Sequence, residues 1–264
     1  MKQTNYQPID FLDLDPSFSG EERTWKVGKA TDITTDGNDV IITLPFQKQI
    51  CDLEYAADTS VQPKEFNLRI RAYGSKILRI AVNFEGTNDM PDSIMLQTDS
   101  VLQTEPLSIE KNTDEWLVKD TSNTIRARFN RKEIPLDHWS DLLPAPQESL
   151  EAIFYPDGKK EIAISAYDQF FPARIEALAI GYIEKEKKID RSTISFHVQP
   201  DECFVGTGER FSKMDLSGHT FQLKNQDGQG VNNRRTYKNI PFYISSRMYG
   251  IFMHTSSYGK ISLA

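Results

Sequence analysis

Hydrogen-bonding side chains are concentrated in one segment, residues 224–239, in which Val231 is the only aliphatic residue. The side chains best suited to a polar ligand are those of Asn225, Asp227, Asn232, Asn233 and Tyr237. Amides and a carboxylate can bond to hydroxyl groups, and a tyrosine ring offers a flat apolar face. This combination predicts binding of a hydroxyl-rich ligand such as a sugar. A surface loop without a ligand is the alternative, since Asp-Gly is common turn chemistry.

The spacing of Gly206 and Gly208 is similar to that of the first two glycines of a phosphate-binding loop. The third glycine of a dinucleotide fingerprint is missing and no helical pattern follows, so we reject a nucleotide site. The glycines instead predict a bulge or a close backbone approach within a strand. Glu209 beside Arg210 predicts a local ion pair, with a role as a general acid as the alternative.

The histidines and cysteines, which could catalyse a reaction or bind a metal, form no recognisable motif. The four histidines are scattered, and the sequence contains no nucleophile-elbow motif and no zinc-protease motif. Cys51 and Cys203 have no spacing suited to a metal, and we expect them to be buried thiols. We therefore predict no catalytic residue, no metal site and no cofactor within this sequence.

Composition limits the class of protein. The 264 residues carry a formal net charge of −7, which opposes binding to nucleic acid unless basic residues are segregated on one face. No window approaches 18 uninterrupted apolar residues, and the first residues lack the pattern of a secretory signal. We expect a globular cytoplasmic protein that binds neither nucleic acid nor a membrane.

Short segments of alternating polar and apolar residues recur along the chain and predict strands. One strand is expected over residues 39–44, ending at Pro45. Five hairpins are expected: residues 66–73 with 77–84, 116–119 with 124–129, 152–155 with 161–164, 177–183 with 192–198, and 242–244 with 250–254. The pattern predicts an all-β protein, a large antiparallel β-sandwich. Residues 1–25 are predicted to form an extended arm, and residues 131–148 a loop.

Four strings of residues, in this order, carry a resemblance to a known family. They are Phe204-Val205-Gly206-Thr207-Gly208-Glu209-Arg210-Phe211, Asn225-Gln226-Asp227-Gly228, Tyr237-Lys238-Asn239-Ile240-Pro241-Phe242-Tyr243 and Tyr249-Gly250-Ile251. Over residues 202–258 the sequence resembles the amino-terminal region of glycoside hydrolase family 31, which includes α-glucosidases and α-xylosidases. The third string is most similar to the bacterial α-xylosidase branch.

The resemblance implies a galactose-mutarotase-like β-sandwich that precedes a (β/α)8 barrel. In the family the barrel carries two catalytic aspartates of a retaining mechanism, and no barrel pattern occurs in this sequence. Residues 1–264 are thus expected to be an N-terminal domain, with residues 224–239 reaching the active-site rim of the barrel. The resemblance implies that Asp227 contacts the sugar beyond the scissile bond, with Asn225 before it and Tyr237 at the far end.

Two departures from the family pattern affect this segment. Gln226 stands where the family usually has arginine, and Thr207 stands where it usually has leucine. An ion pair that steadies the segment in the family is therefore expected to be absent, which leaves the leaving-group preference open.

The function implied by the resemblance is that of an N-terminal domain of a retaining α-glycosidase acting on terminal α-linked xylosyl or glucosyl residues. Its expected partners are an oligosaccharide substrate and the C-terminal catalytic barrel of the same polypeptide, and a homo-oligomer is compatible with the pattern. One alternative is a free-standing carbohydrate-binding or mutarotase-like module. A second alternative is a sandwich that only supports the barrel or mediates oligomerisation.

Overall fold

The chain, analysed as a computed structural model, is described over residues 23–48, 58–86, 103–132, 150–165, 179–210, 212–225 and 236–263. These residues form strands and turns without a helix, so no helix among them is long and apolar enough to cross a membrane. The chain divides into two compact units. We call Phe18–His197 the larger unit, and the unit that contains Val198–Ala264 the smaller unit.

The strands of the larger unit are β1 (Arg23–Val27), β2 (Asp32–Asp36), β3 (Asp39–Lys48), β4 (Lys64–Tyr73), β5 (Ile77–Val82), β6 (Thr104–Glu105), β7 (Ser108–Lys111), β8 (Glu115–Lys119), β9 (Ile125–Asn130), β10 (Glu151–Phe154), β11 (Ile162–Ser165), β12 (Ile180–Lys185) and β13 (Lys188–Ile194). One sheet has the order β13-β12-β1-β3-β4-β5, with β2 beside β3 and β6 beside β4. The second sheet has the order β11-β10-β9-β8-β7. The paired strands of both sheets are antiparallel.

Both sheets of the larger unit bury apolar side chains. Ile42, Leu44 and Phe46 alternate along β3 and are fully buried, as a strand with one face on a core requires. Arg126 of β9 is also fully buried, and its guanidinium donates to the carbonyl oxygens of Gly74 (3.1 Å) and Pro156 (2.7 Å). Because Gly74 lies in the β4–β5 turn, this side chain joins the two sheets. The predicted all-β, antiparallel sandwich is confirmed.

The five predicted hairpins are present as β4–β5, β8–β9, β10–β11, β12–β13 and the later pair β16–β17. The turn between β12 and β13 is tighter than predicted. Glu186 and Lys187 both have positive φ angles, of 50° and 62°, which are the angles of a two-residue hairpin turn. The charged run is therefore divided between two strands, and β13 begins and ends earlier than predicted.

Two strand boundaries differ from the sequence prediction. The expected end of a strand at Pro45 is wrong, because β3 continues to Lys48. Pro45 lacks only the donor of its peptide group, and its carbonyl oxygen accepts from the N–H of Gly28 at 2.7 Å. Residues 23–25, expected in the arm, begin β1, which lies between β12 and β3. Residues 1–22 and 133–148 lie outside the described part of the chain.

The strands of the smaller unit are β14 (Phe204–Gly208), β15 (His219–Leu223), β16 (Asn239–Ser245), β17 (Gly250–Phe252) and β18 (Gly259–Leu263). They form a three-stranded sheet, β14-β16-β17, and a two-stranded sheet, β15-β18. The core of this unit consists of Phe204, Leu216, Phe221, Leu223, Tyr243, Ile261 and Leu263. The Phe204 and Tyr243 rings meet edge to face with centroids 5.6 Å apart, a favourable aromatic geometry.

The expectation of buried thiols is wrong for Cys203, which is exposed. Its neighbours Glu202 and Phe204 are both buried, so the alternation of side chains directs Cys203 outward. Its backbone is held by Ser246, whose Oγ accepts from the Cys203 N–H at 3.0 Å and whose N–H donates to the Cys203 carbonyl at 2.8 Å. Cys51 lies outside the described residues.

Candidate functional site

The polar segment 224–239 follows β15 and ends at the first residue of β16, and its described residues are 224, 225 and 236–239. The two described residues nearest to its centre, Asn225 and Thr236, form an isolated parallel bridge, so the departing and returning backbones lie side by side. We call the residues that hold these two ends together the neck. They are Glu209, Arg210, Asn225, Thr236, Lys238 and Asn239.

Asn225 and Asn239 form the centre of the neck. Oδ1 of Asn225 accepts two hydrogen bonds from Asn239, one from the backbone N–H (3.1 Å) and one from Nδ2 (2.8 Å). Nδ2 of Asn239 also lies 3.3 Å from the carbonyl oxygen of Thr236. These bonds tie the second residue after β15 to the first residue of β16.

Arg210 supports the neck from the side of β14. Its Nε donates to the carbonyl oxygen (3.2 Å) and to Oγ1 (3.0 Å) of Thr207. Its Nη2 donates to the carbonyl oxygen of Gln222 (3.1 Å) and to Oδ1 of Asn239. The guanidinium lies over the Phe221 ring, 4.7 Å from its centroid, which adds a cation–π contact. Burial lowers the pKa of Arg210, yet an arginine remains protonated at neutral pH.

A second set of bonds closes the other side of the neck. Oγ1 of Thr236 donates to the carbonyl oxygen of Glu209 (2.5 Å) and accepts from the N–H of Lys238 (3.1 Å). The N–H of Glu209 in turn donates to the carbonyl oxygen of Lys238 (3.1 Å). Thr236 is buried, so its hydroxyl is shielded from competition with water.

The predicted ion pair between Glu209 and Arg210 is wrong. Oε1 of Glu209 lies 2.6 Å from Nζ of Lys238, which is 29 positions away along the chain. This hydrogen bond and the charge of Glu209 raise the pKa of Lys238. Both side chains are more than half exposed, so the pair is solvent-screened and contributes little to stability.

The predicted close backbone approach at Gly206 and Gly208 is confirmed. A Cβ on Gly208 would lie 2.1 Å from the carbonyl oxygen of Lys238, and a Cβ on Gly206 would lie 2.7 Å from that of Phe242. The register between β14 and β16 shifts between these two glycines. Thr207 between them has a φ of 64° and is fully buried, an unusual conformation for a β-branched residue. The glycines thus let the Lys238 backbone reach β14.

The structure brings two of the three predicted site residues to the neck. Asn225 lies at its centre, and Tyr237, which follows Thr236, is 68% exposed. Asp227 lies outside the described residues. Sequence reasoning gave Arg210 only as an ion-pair partner of Glu209 and did not single out Asn239, although both lie within the strings that carried the family resemblance.

The neck can hold and orient a polar segment, but it lacks the groups for glycoside hydrolysis. A retaining enzyme uses two carboxyl groups about 5–5.5 Å apart. The neck has one carboxylate, Glu209, which is paired with Lys238. Among the described residues, no three His, Cys, Asp or Glu side chains group in a way that could hold a metal ion.

Comparison with known proteins shows similarity to two alpha-xylosidases. The chain is 48% identical to alpha-xylosidase XylQ of Lactiplantibacillus pentosus over 56 residues, which are 21% of this chain and 7% of that protein. It is 45% identical to an alpha-xylosidase of Emericella nidulans over 62 residues, which are 24% of this chain and 8% of that protein. The chain therefore matches only a small part of each relative.

A solved structure has the same fold. The cycloalternan-forming enzyme from Listeria monocytogenes, determined in complex with a pentasaccharide substrate, matches 90% of this chain and 18% of its own with a TM-score of 0.57 and 15% identity. The profile of the glycosyl hydrolase 31 N-terminal galactose mutarotase-like domain matches residues 67–261. The match confirms the resemblance inferred from the four strings of residues. The chain therefore belongs to the family of glycosyl hydrolase 31 N-terminal galactose mutarotase-like domains.

Proposed function

We propose that this chain is the N-terminal domain of a retaining α-glycosidase that hydrolyses terminal α-linked xylosyl or glucosyl residues. The domain supplies a substrate-binding segment, residues 224–239, while a C-terminal barrel of the same polypeptide supplies the catalytic carboxyl groups. The observation that carries this proposal is the neck. A segment rich in hydrogen-bonding groups is held at both ends by side-chain hydrogen bonds, from exposed Asn225 at one end and from half-buried Asn239 and buried Thr236 at the other, an arrangement that a plain surface loop does not need.

The sugar contacts are assigned to Asp227 and Tyr237. A carboxylate accepts from neighbouring hydroxyl groups, and the exposed ring of Tyr237 is available to stack on a pyranose face. Asn225 holds one end of the same segment through its hydrogen bonds to Asn239. The identity to two alpha-xylosidases favours a xylosyl group at the scissile bond. A cytoplasmic location and a homo-oligomeric state stay predictions.

The test of the sugar contact is the substitution Asp227→Ala in the full-length enzyme. We expect kcat/KM for α-xylosyl disaccharides to fall by about 10- to 100-fold, the effect of losing a charge-assisted hydrogen bond. The matched control is Asp201→Ala, which removes an exposed carboxylate of the same unit away from the neck. Unchanged kinetics for Asp227→Ala would contradict the assigned role.

A second measurement separates the proposal from a free-standing module. The isolated chain is expected to show no turnover of an aryl α-xyloside or α-glucoside, because the two required carboxyl groups are contributed by the barrel. Calorimetric titration of the isolated chain with xylose, glucose and isoprimeverose gives the complementary readout. Clear saturable binding would favour the carbohydrate-binding module instead.

A further inference from the structure

We propose that Arg210 and Asn239 are positioning residues that hold Asn225, and that Asn225 acts as a part of this clamp and not as a sugar ligand. The inference rests on the proposed function, since it concerns the same segment. It goes further by separating the residue that anchors the segment from the residues that touch the substrate.

The first argument is the hydrogen-bonding capacity of Asn225. A carbonyl oxygen has two lone pairs, and Oδ1 of Asn225 already accepts from the N–H and from Nδ2 of Asn239, at 3.1 Å and 2.8 Å. This oxygen has no capacity left for a sugar hydroxyl. Its two bonds instead fix the point at which the segment leaves β15.

The second argument is the position of Arg210 among three strands. Its guanidinium donates to Thr207 of β14, to the Gln222 carbonyl of β15 and to Asn239 at the start of β16. A planar guanidinium presents its donors in a rigid fork, so these bonds set the relative positions of the three acceptors. Through Oδ1 of Asn239, Arg210 orients the amide whose Nδ2 then points at Asn225.

The third argument is the difference in burial between the Glu209–Lys238 pair and Arg210. The Glu209–Lys238 pair is more than half exposed on both sides, and such pairs hold geometry weakly. Arg210 is half-buried, stacks on Phe221 and bonds to backbone carbonyls. The clamp therefore depends on Arg210 and Asn239, and the visible ion pair is secondary.

The experiment compares Asn225→Ala, Asn225→Asp and Asn239→Ala in the full-length enzyme. Aspartate at position 225 keeps an acceptor oxygen for both donors of Asn239 but removes the Nδ2 donor that a sugar ligand would use. The exchange rates of the Asn239, Lys238 and Glu209 amide protons report on the neck directly. Gln222→Ala, which removes an exposed amide side chain on β15, is the control.

Both alanine variants are expected to accelerate exchange of these amides about tenfold, as the loss of one or two hydrogen bonds implies. They should also raise KM for α-xylosyl disaccharides by a similar factor while kcat is retained, because the reacting groups are untouched. In Asn225→Asp, the exchange rates of these amides and KM should both return toward the wild-type values. A loss in Asn225→Asp equal to that in Asn225→Ala would overturn the proposal in favour of a sugar contact through Nδ2.

The exchange readout also separates this inference from the proposed function. Wild-type exchange in Asn225→Ala would overturn the clamp whatever the kinetics show. Accelerated exchange with unchanged KM, together with unchanged kinetics in Asp227→Ala, would confirm the clamp and contradict the role of the segment in substrate binding.

Discussion

The phenol of Tyr249 donates a 2.5 Å hydrogen bond to Oε1 of the buried carboxylate of Glu202. The same oxygen accepts from the hydroxyl of Ser245, and Oε2 accepts from the N–H of Gln199 at 3.0 Å. Burial alone would favour the neutral acid, but these hydrogen bonds outweigh it and hold the pKa of Glu202 below its ordinary value. The carboxylate thus links the residues before β14 to the β16–β17 turn.

Removal of the Tyr249 hydroxyl should destabilise the smaller unit. Tyr249→Phe leaves the ring in place but takes one donor from a buried charge, which costs about 1.5–3 kcal/mol. Urea unfolding of the chain at pH 7 measures the change. Tyr258→Phe is the control, because Tyr258 is 79% exposed, and this substitution should change the free energy of unfolding by less than about 0.5 kcal/mol.

Stability should also depend on the ionisation of Glu202. Its folded-state pKa lies below the ordinary value of 4.5, so the carboxylate stabilises the fold above pH 4.5. This contribution is lost as the pH falls through the folded-state pKa. Glu202→Gln should therefore be less stable than the wild type at pH 7 and show a shallower loss of stability below pH 4.5. Parallel acid profiles for the two proteins would contradict this assignment.

Substitution of Gly208 tests the close approach between β14 and Lys238. Gly208 and Gly218 both have positive φ angles, of 95° and 75°, so alanine is strained at either position. Only at Gly208 would the added Cβ also meet backbone, 2.1 Å from the Lys238 carbonyl oxygen, whereas nothing lies within 4 Å at Gly218. Gly208→Ala should therefore lower the free energy of unfolding by about 1–3 kcal/mol more than Gly218→Ala does, as measured by thermal or urea unfolding. Equal costs would show that the clash is relieved.

The buried carboxylate of Asp39 should contribute strongly to the free energy of unfolding of the larger unit. Asp39 is 2% exposed and accepts hydrogen bonds from Arg69 and Arg71, the latter at 2.8 Å and 2.9 Å. Asp39→Asn leaves both guanidinium groups without this counter-charge and should cost about 3 kcal/mol. Asp36→Asn is the matched control, because the Asp36 side chain is 59% exposed and its pair with Arg69 should be worth less than about 1 kcal/mol.

Two substitutions at Tyr237 test the proposed stacking on a sugar ring. Tyr237→Ala in the full-length enzyme should lower kcat/KM for α-xylosyl disaccharides about five- to tenfold, the value of one aromatic contact. Tyr237→Phe should keep most of the activity because the ring face is retained. Equal losses in the two variants would assign the effect to the hydroxyl group. Tyr258→Ala removes another exposed ring and serves as the control.

Local sequence pattern was sufficient for the five hairpins, but it did not predict the strands β1, β2, β7 and β15. Alternation over residues 66–73 and 77–84, separated by Gly74 and Ser75, predicted the β4–β5 pair because the strands and turn are adjacent in the sequence. The close backbone approach at Gly206 and Gly208 was predictable because the residue type itself indicates it. Only glycine tolerates backbone in the space of a missing Cβ.

Contacts between distant residues were not predictable. Glu209 has Arg210 beside it, but the Arg210 guanidinium bonds to Thr207, Gln222 and Asn239 instead. The ion-pair partner of Glu209 in the structure is Lys238, which reaches it only because β16 pairs with β14. The same pairing brings Asn239 to Arg210, while Asn225 reaches Asn239 from the end of β15.

The sequence by itself determined the all-β class, the family and the segment in which binding side chains are concentrated, because these depend on residue types and short spacings. Only the tertiary structure decided which residues hold that segment. Arg210, Asn225 and Asn239 come from three separate parts of the chain, and their hydrogen bonds require the strands to be packed first. A polar side chain's function depends on which donors and acceptors surround it, and that environment is a property of the folded chain.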